Sequence, residues 1–290
     1  MAGLAPGFRF TDHLITLGDI VFGVVDDQGV HWHCAEDDGW AGPDVRMEVS
    51  QREADHGAWS APAYLAERVI TLAGKAFCPS KSAADDALER LLAAASLTDT
   101  LLTVQETIPK QVTVRRSGKP LLKRLTPMVL EFSLQLTAAD PRRYAVTEQV
   151  GTTALPSSTG GLTPPLTPPL VSDAVTVAGQ INASNEGSID TRPVFTIAGP
   201  AVSPQILTQM PDGSVRFLNY SDTLYDGDVL VIDTDAKTCV LNGNVSRRRF
   251  LSTPTGWPVI PARSAVAFQF RATYYNSGAL LTARWRSAWI

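Results

Sequence analysis

The sequence predicts a β-rich α+β fold in two parts, an N-terminal β-domain with one helix and a C-terminal β-sandwich. Three observations predict it. Short apolar segments with period-two alternation, separated by Gly, Asn and Asp turn signals, recur along the chain. Helical periodicity is confined to one segment, about Ser82 to Ser96. Between the two parts, Gln149 to Ser172 carries no charge and contains GTTALPSSTGGLTPPLTPPL, with five prolines and three glycines. Proline continues neither a helix nor a central strand, so this stretch reads as an extended linker or arm, with an ordered crossing of a sheet surface as the alternative. The expected division is residues 1–148, a linker at 149–172, and residues 173–290.

In the first part the expected strands are Leu14–Leu17, Ile20–Val25, Val30–Ala35, Val45–Val49 and Arg68–Ala73, with Asp26-Asp27-Gln28-Gly29 as a hairpin loop. Ser82 is placed to cap the helix, with Asp85 three residues on. Ala84, Ala87, Leu88, Leu91, Leu92 and Ala95 make one apolar stripe, and Asp86 and Arg90 stand i,i+4 on the other side, spaced to pair. Leu101–Glu106, Gln111–Arg116 and Met128–Thr137 follow. In the last of these, Met128, Leu130, Phe132, Leu134 and Leu136 face one way and Val129, Glu131, Ser133 and Gln135 the other, the pattern of a half-buried antiparallel strand.

The second part holds no convincing helix. Its expected strands are Val194–Ile197, Gln205–Gln209, Ser214–Leu218, Val229–Asp233, Thr238–Leu241, Asn244–Phe250, Ser264–Arg271 and Leu280–Trp285. Asn242-Gly243 is the strongest turn signal, because a type I′ turn needs positive φ at both central residues. Many short strands at this spacing indicate a β-sandwich or a jelly-roll relative.

Composition removes several function classes. The chain has 290 residues, 25 basic and 29 acidic, for a net charge of −4, without the basic footprint of a nucleic-acid binder. Hydrophobic residues at 44% and charged residues at 19% argue against disorder. No run of eighteen apolar residues suggests a membrane span, and MAGLAPGFRF lacks the pattern of a secretory leader. Three separated cysteines, Cys34, Cys78 and Cys239, fit a reducing compartment better than a disulfide framework.

No catalytic, cofactor or metal set emerges. His31 and His33 share one strand face, but His13 and His56 have no ligand spacing, and a zinc site needs three or four converging ligands. The acidic groups Asp26-Asp27, Glu36-Asp37-Asp38 and Asp44 sit at strand ends, where solvated turns place them, and match no calcium-loop spacing. In Arg247-Arg248-Arg249, strand alternation turns Arg248 away from its neighbours, so the run reads as a subunit contact rather than a nucleic-acid patch. Trp32 and Trp285 lie within strands and read as core. Trp40 and Trp59 lie in Gly/Pro-containing loops and read as protein-interface anchors.

The order of these features resembles the distal tail proteins of long-tailed bacteriophages, the siphovirus tail-component family. In the first part the resemblance rests on Asp55-His56-Gly57, the arginine-led strand Arg68 to Gly74, the single helix, and the corner Asp140-Pro141-Arg142-Arg143-Tyr144. In the second it rests on Asn185-Glu186-Gly187 with Arg192-Pro193-Val194-Phe195, on Asp226 to Asp233, on Val240 to Gly243, on Trp257 to Pro261, and on the closing Ala283 to Trp289. Ala262 stands where that family usually has glycine. The resemblance covers roughly residues 40 to 290. It implies an N-terminal domain that builds a homo-oligomeric ring, commonly a hexamer, and a galectin-like C-terminal sandwich outside it. It also implies a non-enzymatic virion protein assembled in the host cytoplasm at the distal end of the tail. Its partners would be the tail-tube protein and tail-tip or tape-measure-associated proteins, with no nucleic acid or membrane contact required. The interface residues expected are Trp40, Trp59 and Arg248. The alternative is a carbohydrate-binding module that recognises host-wall glycans; a wall hydrolase would need a carboxylate pair or metal cluster that the sequence does not offer.

Overall fold

A computed structural model describes residues 14–159, 175–177 and 179–290. It is strand-rich, with one α-helix among the described residues. The chain divides into two compact units, one running to Val146 and including Ile290, the other spanning Thr147–Trp289. The expected linker at 149–172 is corrected at its start: Gln149–Ala154 is a strand paired along its length with Leu280–Trp285 in the second unit. Ser157–Thr159 pairs with Val175–Val177, and residues 160–174 lie outside the described residues. No helix among the described residues is long and apolar enough to cross a membrane.

The sheet of the first unit runs in the order Ile20–Phe22, Ile15–Leu17, Thr100–Val104, Lys110–Arg116, Val129–Ala138, Arg68–Phe77, His31–Asp38. Arg68–Phe77 and Val129–Ala138 pair without interruption over ten residues. Period two puts Ile70, Leu72 and Ala76 on the same buried side as Leu130, Phe132, Leu134, Leu136 and Ala138. Phe22, Trp32 and Phe132 pack there edge-on or tilted, with ring centroids 5.6 to 6.5 Å apart. The helix, Lys81–Ala94, covers this side with Ala84, Ala87 and Leu91. Its cap is Ser80 rather than Ser82: the chain leaves its strand through Pro79, and Ser80 Oγ accepts the Ala83 N–H at 3.1 Å. Arg90 does not pair with Asp86. It donates to Asp26 Oδ2 at 2.8 Å and Gln28 Oε1 at 2.9 Å, which ties the helix to the first hairpin.

Arg68, at the head of its strand, is fully buried. Its Nε donates to the Pro141 carbonyl at 2.9 Å, and one terminal nitrogen donates to the carbonyls of Gly39, at 3.1 Å, and Trp40, at 2.6 Å. One arginine thereby holds two loops, which is the physical content of the arginine-led strand and the Asp-Pro-x-x-Tyr corner. Burial, followed by the charge of Arg143, lowers its pKa to about 10, so it stays cationic at neutral pH. In the corner, Tyr144 donates its hydroxyl to Asp140 Oδ2 at 2.6 Å, and Asp140 Oδ1 accepts the Arg142 N–H at 3.1 Å.

The second unit is a sandwich. One sheet runs Gln149–Ala154, Leu280–Trp285, Val194–Ala198, Val229–Asp233, Thr238–Leu241, Val245–Ser246. The other runs Gln180–Asn185, Ser264–Arg271, Gln205–Gln209, Val215–Tyr220, Leu251–Ser252. Phe195, Ile197, Leu230, Ile232 and Leu281 of the first share one core with Ile181, Ile206, Leu218, Phe268 and Phe270 of the second. Phe195 meets Phe268 edge-on at 4.9 Å. Asn242 and Gly243 have φ of 51° and 77°, as the Asn-Gly signal requires. Asn185-Glu186-Gly187 is a structural knot. The Asn185 amide donates to the Ile189 carbonyl at 2.8 Å, and its oxygen accepts the N–H groups of Gly187, at 2.9 Å, and Ala288, at 3.2 Å. A Cβ on Gly187 would stand 1.7 Å from the Ala288 carbonyl oxygen, so this position admits only glycine.

Candidate functional site

Of the residues considered for chemistry in the sequence, Asp26 has a structural role. Asp26 Oδ1 accepts the N–H groups of Gln28 and Val30, and Oδ2 accepts from the Trp32 indole at 3.0 Å and from Arg90. Burial opposes its charge, but the donors from Trp32, Val30 and Arg90 outweigh that and hold its carboxyl below the usual range. His31 and His33 do share a face; their rings stand 6.5 Å apart, and His31 stacks on Phe77 at 6.0 Å. No group of three or more His, Cys, Asp or Glu side chains able to hold a metal occurs among the described residues.

Trp40 is not a surface anchor. It is 4% exposed, with its indole N–H donated to Glu106 Oε1 at 2.6 Å and the Arg143 guanidinium 5.3 Å from its ring. Its Gly-rich loop suggested exposure, but Gly39 pulls the loop onto the sheet: a Cβ there would lie 1.9 Å from the Val69 carbonyl oxygen. Arg68 then fixes the Trp40 carbonyl. Trp59 is 67% exposed. It sits on a long hairpin formed by the ladders Val45–Arg46 with Tyr64–Leu65 and Val49–Gln51 with Ala58–Ser60. This hairpin replaces the single strand expected at Val45–Val49. Val45, Met47, Val49 and Tyr64 are also about half exposed or more, and Arg52 stacks on Trp59 at 4.5 Å and pairs with Asp55 at 3.4 Å. Trp59 pairs with Ser50 and Tyr64 with Arg46, so each ring lies on the face opposite the valine of its own ladder, Val49 and Val45. An isolated two-stranded hairpin is marginally stable in water, and this one leaves large apolar side chains exposed on both faces.

The sheet itself offers two edges. Leu121–Thr126 pairs with Val129–Ala138 on one side and ends the sheet there. From His33 onward, no strand lies beyond His31–Asp38 among the described residues. Leu121, Ser133, Ala73 and Glu36 form one row across these four strands. A shallow groove of about 640 Å³ lies along these strands, lined by Ala35, Ala73 and Leu121 together with Lys75, Lys123 and Glu131. The sequence reading missed Leu121–Thr126, and the LLKRLT pattern explains why: its burial is that of an edge, not of an alternating core strand.

Arg248 does not lie in a strand. The strand stops at Ser246, and Arg248–Phe250 is a 3₁₀ turn in which Arg248 is exposed beside Trp257.

No family model matches the chain, and no curated protein matches it. Among solved structures it matches the crystal structure of the SPP1 Dit protein, described as a paradigm of the hub adsorption apparatus in phages infecting Gram-positive bacteria. The TM-score is 0.61 at 14% identity, over 89% of this chain and 93% of that one. Two structures of the activated phage P2 baseplate, with Ca and with Sr, match with TM-scores of 0.48 and 0.47 at 11% and 12% identity, over 91% of this chain and 99% of theirs. The chain has the β-rich fold of the SPP1 Dit protein.

Proposed function

We propose that this chain is a structural virion protein, the distal hub that joins the tail tube of a long-tailed bacteriophage to its tip or baseplate proteins, and that it performs no catalysis. The observation that carries this reading is the fold shared with the SPP1 hub protein across both units, at a TM-score of 0.61 over 89% of the chain. On this reading the first unit closes into a homo-oligomeric ring, most simply a hexamer, and the second is a galectin-like sandwich.

The two free edges support ring closure. Three successive antiparallel pairings separate His31–Asp38 from Leu121–Thr126, so the two edges run in opposite directions. The second edge of one copy can therefore add to the first edge of the next as one more antiparallel pair. Glu36 and Asp38 lie on one edge and Lys123 on the other. A contact between two different patches generates a ring when its rotation closes. The hairpin bearing Trp59 gives each copy a second apolar surface for its neighbour or for the adjoining tail protein.

Electron-microscopy averages of intact tails should show this chain in a closed ring at the distal end; its appearance outside any ring would remove the reading. Proline placed singly at Leu121, Leu122 and Lys123 tests the edges. Alternate N–H groups point outward from an edge strand, so at least one variant keeps the wild-type melting temperature. That variant should lose rings while remaining folded. Normal rings in every folded proline variant would exclude this edge from the contact. Intact assembly with binding to host-wall glycans would favour the carbohydrate-binding alternative.

A further inference from the structure

The Arg247-Arg248-Arg249 run acquires a different geometry once its strand ends early. Phe250 N–H closes the turn onto the Arg247 carbonyl at 3.0 Å. Each guanidinium then covers an aromatic ring: Arg247 and Arg249 lie 5.4 and 4.6 Å from the ring centre of Phe250, and Arg248 lies 5.0 Å from that of Trp257. Arg248 donates to the Leu251 carbonyl at 2.7 Å, and Arg216 donates to the Trp257 carbonyl at 2.6 Å. Four guanidiniums are thus held around two half-buried rings. Stacking and backbone bonds remove much of the rotamer freedom that binding would otherwise cost. No carboxylate lies within ion-pair distance of Arg248 or Arg249 among the ion pairs of the described residues. Asp222 stands 3.8 Å from Arg247, and Asp228 and Asp212 face Arg247 and Arg216 at longer range. In a chain of net charge −4, this is a concentrated positive spot.

We propose that Arg247, Arg248, Arg249 and Trp257 form a docking site for a short acidic segment of a partner protein. The guanidinium fork matches a carboxylate bidentately, and Arg beside aromatic rings is the composition of interface anchors. Phe250 and Trp257 add apolar contact that a peptide can use and a bare phosphate chain cannot. The carboxylates of Asp212, Asp222 and Asp228 border the patch and repel a long polyanion, so they favour a short segment over a phosphodiester polymer. This inference does not depend on ring assembly, and its test uses the full chain in whatever oligomeric state it adopts.

The test titrates a hexaglutamate peptide, and separately inorganic polyphosphate of matched charge, into the full chain at low salt. Hexaglutamate should bind the wild type. The double variant Arg248→Gln with Arg249→Gln should weaken it at least about tenfold while lowering the melting temperature only slightly, since both side chains are exposed and Arg248 gives up one backbone bond. Arg248→Lys with Arg249→Lys keeps the charge but not the stacked fork, and should weaken binding several-fold. Absence of hexaglutamate binding, or equal binding by the glutamine variant, overturns the proposal. Tighter binding of polyphosphate than of hexaglutamate also overturns it, in favour of a phosphate polymer.

Discussion

Replacing Arg68 with leucine is expected to destabilise the first unit by about 3–5 kcal/mol, because it strips one buried and two partly buried backbone carbonyls of their donor. The carbonyls of Gly39, Trp40 and Pro141 all accept from this one side chain, which is fully buried. A hydrogen bond from a charged donor contributes about 1.5–3 kcal/mol, and an orphaned buried acceptor costs about 1–3 kcal/mol. The sum is reduced by what the fold already spends on burying a cation, visible in the lowered pKa of Arg68. Urea unfolding of the full chain, followed by tryptophan fluorescence, measures it. Arg68→Lys provides the comparison: a single ammonium cannot reach two separated loops as a guanidinium does, so lysine should recover only part of the loss. A leucine variant with the wild-type midpoint would mean that the two loops find other donors and that the arginine is dispensable to the fold.

Much of the second unit is legible in the sequence for a simple reason. Gln205–Gln209, Val229–Asp233, Thr238–Leu241, Ser264–Arg271 and Leu280–Trp285 alternate cleanly because each is buried on one face and bounded by turns with strong local preferences. What was hidden depends on partners that local sequence does not show. Gln149–Ala154 has no charge and adjoins the proline run, so it reads as linker until Leu280–Trp285 is seen to pair with it. Leu121–Thr126 faces solvent along most of its length, so its alternation is weak, although it ends the sheet. Ser80 and Ser82 are equally good caps by residue type, and only the exit through Pro79 decides between them. The arginine turn is set by Phe250 and Trp257, and Trp257 is eight residues away from Arg249 along the chain. The candidate interaction surfaces were therefore half visible. Trp59 could be picked out from its loop, whereas Trp40 could not be told from it by composition.

Trp40 and Trp59 should give opposite results when each is changed to alanine. Trp40→Ala should cost about 3–5 kcal/mol of folding stability, the usual penalty for removing a large aromatic from a packed core. The environment of Trp40 supports the upper part of that range: the ring is 4% exposed, and its indole N–H is one of the donors to Glu106. Burial raises the pKa of Glu106, but the bonds from Lys110 and Trp40 and the charge of Arg143 more than reverse this, so the variant also weakens the support of a partly buried carboxylate. Trp59→Ala should change folding by no more than about 0.5–1 kcal/mol, since the ring is 67% exposed and loses mainly the Arg52 stack. Its loss should appear in assembly. An exposed tryptophan stacked only by Arg52, on a hairpin with little core of its own, is where a docking neighbour would gain most, and an anchor of this kind contributes about 2 kcal/mol or more. The paired measurement is the melting temperature of each purified variant and its ability to restore tail assembly in a complementation assay. A Trp59→Ala chain that melts normally and fails to assemble places the hairpin in the subunit contact. A chain that melts normally and assembles normally leaves the hairpin face without a role in the ring, and ring closure would then rest on the sheet edges alone.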